Sequence, residues 1–121
     1  MQRETLENGE VLEISLNDYI RDSERNMKSH GFWRDDEQVS EFVALIHSEV
    51  SEVLEEARKG KKPNETYYRA DGKPEGIPAE MADILLRMFH MAAFYNIDLE
   101  SAVIEKQKFN RTRPYKHGKE F

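Results

Sequence analysis

From Ser15 onward the apolar residues of this chain recur at the three- and four-residue spacing of helices, and the runs are divided by glycine, proline and short polar side chains. Such a pattern leaves one economical solution, an all-α domain of about four helices packed as an antiparallel bundle. A length of 121 residues suits a single hydrophobic core. Neither an internal repeat nor a low-complexity tract competes with that reading. Residues 1–14 form an N-terminal arm, in which Asn8-Gly9 is a hairpin turn signal between the sparse apolar positions Leu6, Val11 and Ile14. Residues 15–121 form the helical domain.

The helix boundaries follow from capping chemistry. Ser15 and Asp18 make an acidic form of the capping box and start a first helix that ends near Gly31. Asp35 with Gln38 offers the next cap, so a second helix is predicted over Asp36 to Lys59, stopped by Gly60. Its inward stripe is Val39, Val43, Ile46, Val50, Val53 and Ala57. A polar loop follows over residues 60–77, a length that inside a compact domain usually serves function. Pro78 suits the opening of a third helix, with Met81, Leu85, Met88 and Ala92 inward and its end at Asn96. Asp98 caps a fourth helix that runs to about Arg113, before Pro114.

Composition removes several function classes. With no cysteine there are no disulfides, thiolate metal sites or cysteine nucleophiles, which fits a reducing compartment. The start Met-Gln-Arg-Glu-Thr lacks the apolar run of a signal peptide, and the longest apolar stretch, Ile84 to Tyr95, is interrupted by Arg87 and His90. The expectation is a cytoplasmic protein that does not enter membranes. Acidic residues outnumber basic ones 24 to 18, giving a net charge of −6, a poor match for duplex nucleic acid.

Where the acid lies matters more than its total. Glu49, Glu52 and Glu56 fall on one face of the second helix, beside its core stripe, and Glu80 and Asp83 share a face of the third. An isolated pair of this spacing ordinarily just faces water. Antiparallel packing of consecutive helices, however, sets Glu49 and Glu52 opposite Glu80 and Asp83. Four converging carboxylates repel one another unless a cation sits among them, and all-oxygen ligands favour a hard ion, Mg²⁺ or Mn²⁺. The fourth helix has Leu99, Val103, Lys106, Asn110 and Arg113 along one stripe, apolar at first and cationic at its end. Lys and Arg in a last turn also complement the helix dipole. Packed antiparallel on the third helix, that end would face the carboxylates. Metal on one side and Lys and Arg on the other is what a chelated phosphate chain requires.

These residues resemble the MazG-like nucleoside triphosphate pyrophosphohydrolases of the all-α NTP pyrophosphatase superfamily, over about residues 30–120. The resemblance rests on Gly31-Phe32-Trp33, Ser48-Glu49-Val50-Ser51-Glu52, Glu80-Met81-Ala82-Asp83, and Lys106-Gln107-Lys108-Phe109-Asn110-Arg111-Thr112-Arg113, followed by Pro114 and Lys116-His117-Gly118. It implies Mg²⁺-dependent hydrolysis of a nucleoside triphosphate, ribo or deoxy, to the monophosphate and pyrophosphate. Glu49, Glu52, Glu80 and Asp83 would hold the metal, with Glu49 or Glu52 helping to activate water. Lys106, Asn110 and Arg113 would bind substrate, and Trp33 would stack on the base. His90 stands where the family often has Asp or Asn, a departure that puts the contact made there in doubt.

Trp33 precedes Glu49 by more than four helical turns, roughly 20 Å if the intervening chain is helical. A second subunit delivering its Trp33 would remove that separation, so a homodimer or homotetramer is expected; Trp33 filling a bundle end or a dimer contact is the plainer alternative. Two readings compete with the enzyme. A di-iron carboxylate bundle needs Glu-x-x-His pairs, and none of His30, His47, His90 and His117 has one. A non-enzymatic helical binding or dimerisation module would use the acidic rows only for solvation.

Overall fold

In the computed structural model, which describes residues 2–5 and 11–118, four helices carry the chain: α1 (Leu16–Ser29), α2 (Val39–Arg58), α3 (Ile77–Phe94) and α4 (Leu99–Thr112). The all-α expectation holds. Two small antiparallel ribbons accompany the helices. β1 (Gln2–Thr5) pairs with β2 (Val11–Ile14), with Gln2 opposite Ile14 and Thr5 opposite Val11. The Asn8-Gly9 turn lies outside the described residues. Within the long connection, β3 (Tyr67–Tyr68) pairs with β4 (Pro74–Glu75).

Capping fixes the helix ends much as the sequence implies. The Ser15 hydroxyl accepts from the Asp18 N–H at 3.2 Å, and the Asp18 carboxylate accepts from the Ser15 N–H at 2.9 Å. Two orphan donors are thereby satisfied reciprocally. α1 closes where Gly31 turns left-handed at φ 76°, so that the Gly31 and Phe32 N–H groups donate to the carbonyls of Lys28 and Met27. Gly60 ends α2 in the same way, through bonds from Gly60 and Lys61 to Ala57 and Glu56. At the end of α3 Asn96 takes that role, at φ 53°.

The start of α2 departs from expectation. Helical conformation begins at Val39 rather than Asp36, and Gln38 occupies the cap without a side-chain bond. Arg34 draws the Asp36 carboxylate to itself at 3.0 Å and reaches Glu41 at 3.4 Å, while the Tyr95 hydroxyl donates to the Glu37 carbonyl at 3.3 Å. Those tethers hold residues 34–38 out of the helix, because the carboxylate that would have neighboured the helix end is committed elsewhere.

α3 is the hub, packed against α2 on one side and α1 on the other. α2 and α3 run antiparallel: Phe42 meets His90 and Phe94, Glu49 meets Arg87, and Glu56 lies near Glu80. Against α1, Phe89 and Ala92 bury with Ile20, and Leu16, Tyr19, Ala93 and Leu99 close around them.

The rotation of α2 corrects the predicted core stripe. The residues turned toward α3 are Phe42, Ile46, Glu49, Val53 and Glu56, whereas Val39, Val43, Val50 and Ala57 are exposed. On α3, Ala92 is buried as expected, but Met81, Leu85 and Met88 are exposed. The most apolar row of each helix therefore lies outside. Among the described residues only Ile20, Phe42, Ile77, Phe89 and Ala92 are buried hydrophobics, a thin core for this length. None of the described helices is long and apolar enough to cross a membrane.

α4 corrects a second expectation. Asp98 caps it through the Ser101 N–H at 3.1 Å and accepts from the Asn17 side chain at 3.0 Å, which fastens its first turn to α1. Beyond Glu100 every residue of the helix is exposed. Its far end does not lie along α3, because the contacts that fix its direction are all at Asp98, Leu99 and Glu100.

Gly76 secures the entry to α3. Its φ is 111°, and a Cβ there would meet the Glu65 carbonyl oxygen at 2.5 Å. Both the dihedral and the close approach demand glycine. Gly76→Ala is expected to destabilise the fold by about 2 kcal/mol or more in chemical denaturation, whereas Gly60→Ala, which meets nothing within 4 Å, should cost only about 1 kcal/mol.

Candidate metal and phosphate site

Turning Glu49 and Glu56 inward places them against the first turns of α3, where Glu80 and Asp83 project from adjacent positions one helical turn apart. Carboxylate oxygens of Glu49, Glu80 and Asp83 lie within 4.8 Å of one another. Oxygens on opposite sides of a bound Mg²⁺ stand about 4 Å apart, so modest side-chain adjustment brings all three to one ion. Glu56, Glu75 and Glu80 form a second such group. Glu56 there is already satisfied, since the Tyr67 hydroxyl donates to it at 2.9 Å and the Lys59 ammonium at 3.3 Å. Burial pushes the Glu56 carboxyl up, but Tyr67, Lys59 and Lys61 together hold it below the usual range. It has no need of a metal.

The first group is in the opposite electrostatic state. Glu80 is raised above the ordinary carboxylate value by burial and then by the charges of Asp83, Glu52 and Glu49. Asp83 is raised by burial and by Glu49, against the pull of Lys73 and Arg87. Mutual repulsion in a half-buried setting is relieved by a cation, so these residues fit a divalent metal.

A cavity of 730 Å³ opens beside this group, between α1 and α3. Glu49 and Asp83 line one end together with Arg87 and Lys73, and Arg87 donates to Glu49 at 3.3 Å. Tyr19, Phe32 and Phe89 supply aromatic wall, and His90 lies at the other end. The size suits a nucleotide. Cations beside carboxylates on one wall suit phosphate oxygens shared with a metal.

The remaining predicted residues are placed as follows. Glu52 is exposed and outside the group of three, yet near enough to raise Glu80. Lys106, Asn110 and Arg113 are exposed on α4, where Lys106 and Arg113 lie over the ring of Phe109. The structure does not bring them to the carboxylates of their own chain. Trp33 packs at the far end of the bundle, 5.4 Å from the His90 ring and 5.6 Å from that of Phe94, with the Lys28 ammonium 4.7 Å from its centroid. It thus fills the end of the bundle.

The residue before it, Phe32, lines the same cavity as Glu49, whereas Trp33 does not. Tyr19, Lys73 and Arg87 were missed as site residues. Arg87, one turn beyond Asp83 in the same row, carried a signal; Lys73 and Tyr19 reach the cavity only through tertiary folding.

A carboxyl whose folded pKa is raised supports folding while protonated and loses that contribution as pH rises. The window runs from the ordinary values, 3.8 for Asp83 and 4.5 for Glu80, up through their raised folded values. Asp83→Asn and Glu80→Gln should therefore raise the melting temperature of chelator-treated protein by a few degrees at pH 7, an advantage that shrinks as pH falls through that window. Mg²⁺ should stabilise the wild type and not the variants; melting curves across pH, with and without the ion, check both effects. Compared with family models, curated proteins and solved structures, this chain finds no match.

Proposed function

We propose that the chain is a Mg²⁺-dependent nucleoside triphosphate pyrophosphohydrolase, acting on ribo- or deoxynucleotides. The observation that carries this reading is the convergence of Glu49, Glu80 and Asp83 beside a nucleotide-sized cavity, whose wall includes Glu49, Asp83, Arg87 and Lys73. Mg²⁺, with Mn²⁺ as a substitute, would be held by those three carboxylates and would polarise phosphate oxygens.

Each step in the chain follows from charge and position. Arg87 and Lys73 neutralise the polyphosphate and orient it along the cavity wall. Water attacks the α-phosphorus in line, the bond from that phosphorus to the oxygen bridging to the β-phosphate breaks, and pyrophosphate leaves. Glu52, exposed at the open side of the cluster, accepts the water's proton and returns it to solvent.

A homodimer or homotetramer is part of the proposal. Val39, Val43, Val50 and Leu54 follow one stripe of α2 and are all exposed, an apolar row which a second copy would cover. Lys106, Asn110 and Arg113 then have a route to substrate: α4 of the second copy, free along most of its length, can bring them to the carboxylates. The same surface would also serve a non-enzymatic dimerisation module, and activity separates the two readings.

Purified protein should release pyrophosphate from at least one of the ribo- or deoxynucleoside triphosphates with Mg²⁺ and none after chelation. Orthophosphate release, or no release from any of them, overturns the proposal. Glu52→Gln should retain the fold and lose about 100-fold or more in kcat. Lys106→Ala should raise KM about tenfold, the loss of one charge-assisted hydrogen bond to phosphate. Sedimentation of Leu54→Glu should show monomers, and in that variant the Lys106 substitution should no longer matter.

A further inference from the structure

Tyr67 is the side chain that fastens the ribbon of β3 and β4 to α2. Ribbon residues 68–74 are exposed, and only Tyr67 and Glu75, at its two ends, are half-buried. Glu75 stands among the acids Glu56 and Glu80 and gains nothing from their charge. Attraction to α2 therefore falls to the Tyr67 hydroxyl, which donates to the Glu56 carboxylate from 2.9 Å to one oxygen and 3.2 Å to the other. Among the described residues these are the hydrogen bonds that join the ribbon to α2. Glu56 is 3% exposed, and a carboxylate so far removed from water depends on the donors that replace it. The Lys61 ammonium, 4.2 Å from the Tyr67 ring centroid, covers the ring.

Beyond Tyr67 the ribbon is closed from within. The Arg69 N–H donates to the Lys73 carbonyl at 2.9 Å, the Gly72 N–H donates to the Arg69 carbonyl at 2.9 Å, and the Lys73 N–H donates to the Asp71 carboxylate at 3.2 Å. With Tyr67 opposite Glu75 and Tyr68 opposite Pro74, a hairpin bonded in this way moves as one piece. Lys73 rides on that piece. Its side chain is 57% exposed, and its ammonium stands 3.9 Å from Glu75, a loose pairing that a phosphate oxygen can replace. Lys73 is thus placed by the backbone that carries it rather than by neighbours packed around it. It lies on the cavity wall with Asp83, and its charge pulls the Asp83 carboxyl down against burial and Glu49.

We propose that Tyr67 and Glu56 are positioning residues: their hydrogen bond locks the ribbon to α2 and so presents the Lys73 ammonium to the polyphosphate of the substrate. Neither touches the substrate. The connection between α2 and α3 then acts as a fixed strap that holds a cation at the cavity. The proposal deepens the pyrophosphohydrolase reading and rests on it for the identity of the ligand.

The test is a double-mutant cycle on Tyr67→Phe and Lys73→Ala, read as KM and kcat on the best nucleoside triphosphate with Mg²⁺. Each single variant should raise KM about tenfold and leave kcat within about threefold. In the Lys73→Ala background, Tyr67→Phe should raise KM no further, because the cation that it positions is gone. Multiplied effects, as expected if Tyr67 merely supports the fold or disturbs the metal site through Glu56, overturn the proposal, and so does an unchanged KM in folded Tyr67→Phe. Binding is read apart from turnover by calorimetry with inorganic tripolyphosphate and Mg²⁺, on the same four proteins. Affinity should fall about tenfold in each single variant and no further in the double; an affinity independent of Tyr67 overturns the proposal. Hydrogen exchange of the wild type should show the Arg69 and Gly72 amides at least about 100-fold slower than in an unstructured chain. Exchange at the unstructured rate overturns it even if the variants fail to fold. Absence of pyrophosphate release from every nucleotide removes the functional reading, and tripolyphosphate binding still decides the role of Tyr67.

Discussion

Packing like charges between two helices is the constraint from which the rest of this molecule follows. α2 turns Glu49 and Glu56 toward α3, where Glu80 and Asp83 already point. Carboxylates at such separations in a partly dehydrated setting repel strongly. Glu56 escapes through Tyr67 and Lys59. Glu49 is partly compensated by Arg87. Glu80 and Asp83 stay raised, by burial first and by their acidic neighbours second, although Lys73 and Arg87 partly offset the shift of Asp83. Seating acids on the inner face also fixes what faces outward, because a helix that spends inner positions on carboxylates has fewer left for a core. Val39, Val43 and Val50 are outside for that reason.

The bundle thereby acquires two unlike ends. Where α2 finishes and α3 begins it is anionic and ringed by lysine and arginine; where α2 begins and α3 finishes it is aromatic, with Trp33, Phe42, Phe94 and Tyr95 packed at centroid distances of 5.0 to 5.7 Å. Such pairs hold their geometry through edge and offset contacts worth about 0.5–1.5 kcal/mol each beyond area burial. The aromatic end therefore stiffens the frame on which the acidic end is mounted. His90 belongs to both, being packed among the rings and present on the cavity wall.

Local signals in the sequence were reliable where the physics is local. The Ser15–Asp18 box, the glycine stops at Gly31 and Gly60 and the Asp98 cap are decided by a few neighbouring atoms, and all four are present. The opposition of Glu49 to Glu80 and Asp83 was legible too, because antiparallel packing of consecutive helices follows from chain connectivity. Helix rotation was not. The predicted stripe of α2 held at Ile46 and Val53 and failed at Val39, Val43, Val50 and Ala57, because it passed over Phe42. The deciding contact, Phe42 against His90 and Phe94, joins residues distant in sequence. Likewise the places of Lys73 and Phe32 on the cavity wall depend on tertiary folding that periodicity does not register.

The direction of α4 follows from the same distribution of charge. Its exposed length carries Lys106, Lys108, Arg111 and Arg113 against the single acid Glu105 from residue 105 onward. Apolar residues on it, Val103, Ile104 and Phe109, are exposed as well. A basic amphipathic helix held only at its first turn, beside a bundle whose acids cluster between α2 and α3, has its complement on another face of the same fold. Asn17 and Asp98 direct it away from that face in its own chain. In the proposed dimer a second copy would present the face without that restriction, at a gain that would come from apolar burial first and charge complementarity second. The net charge of −6 conceals this segregation. In the proposed reaction the acids would hold the cation, which would neutralise phosphate, and the basic helix would meet phosphate from the other side, so overall acidity and affinity for a polyanion are compatible.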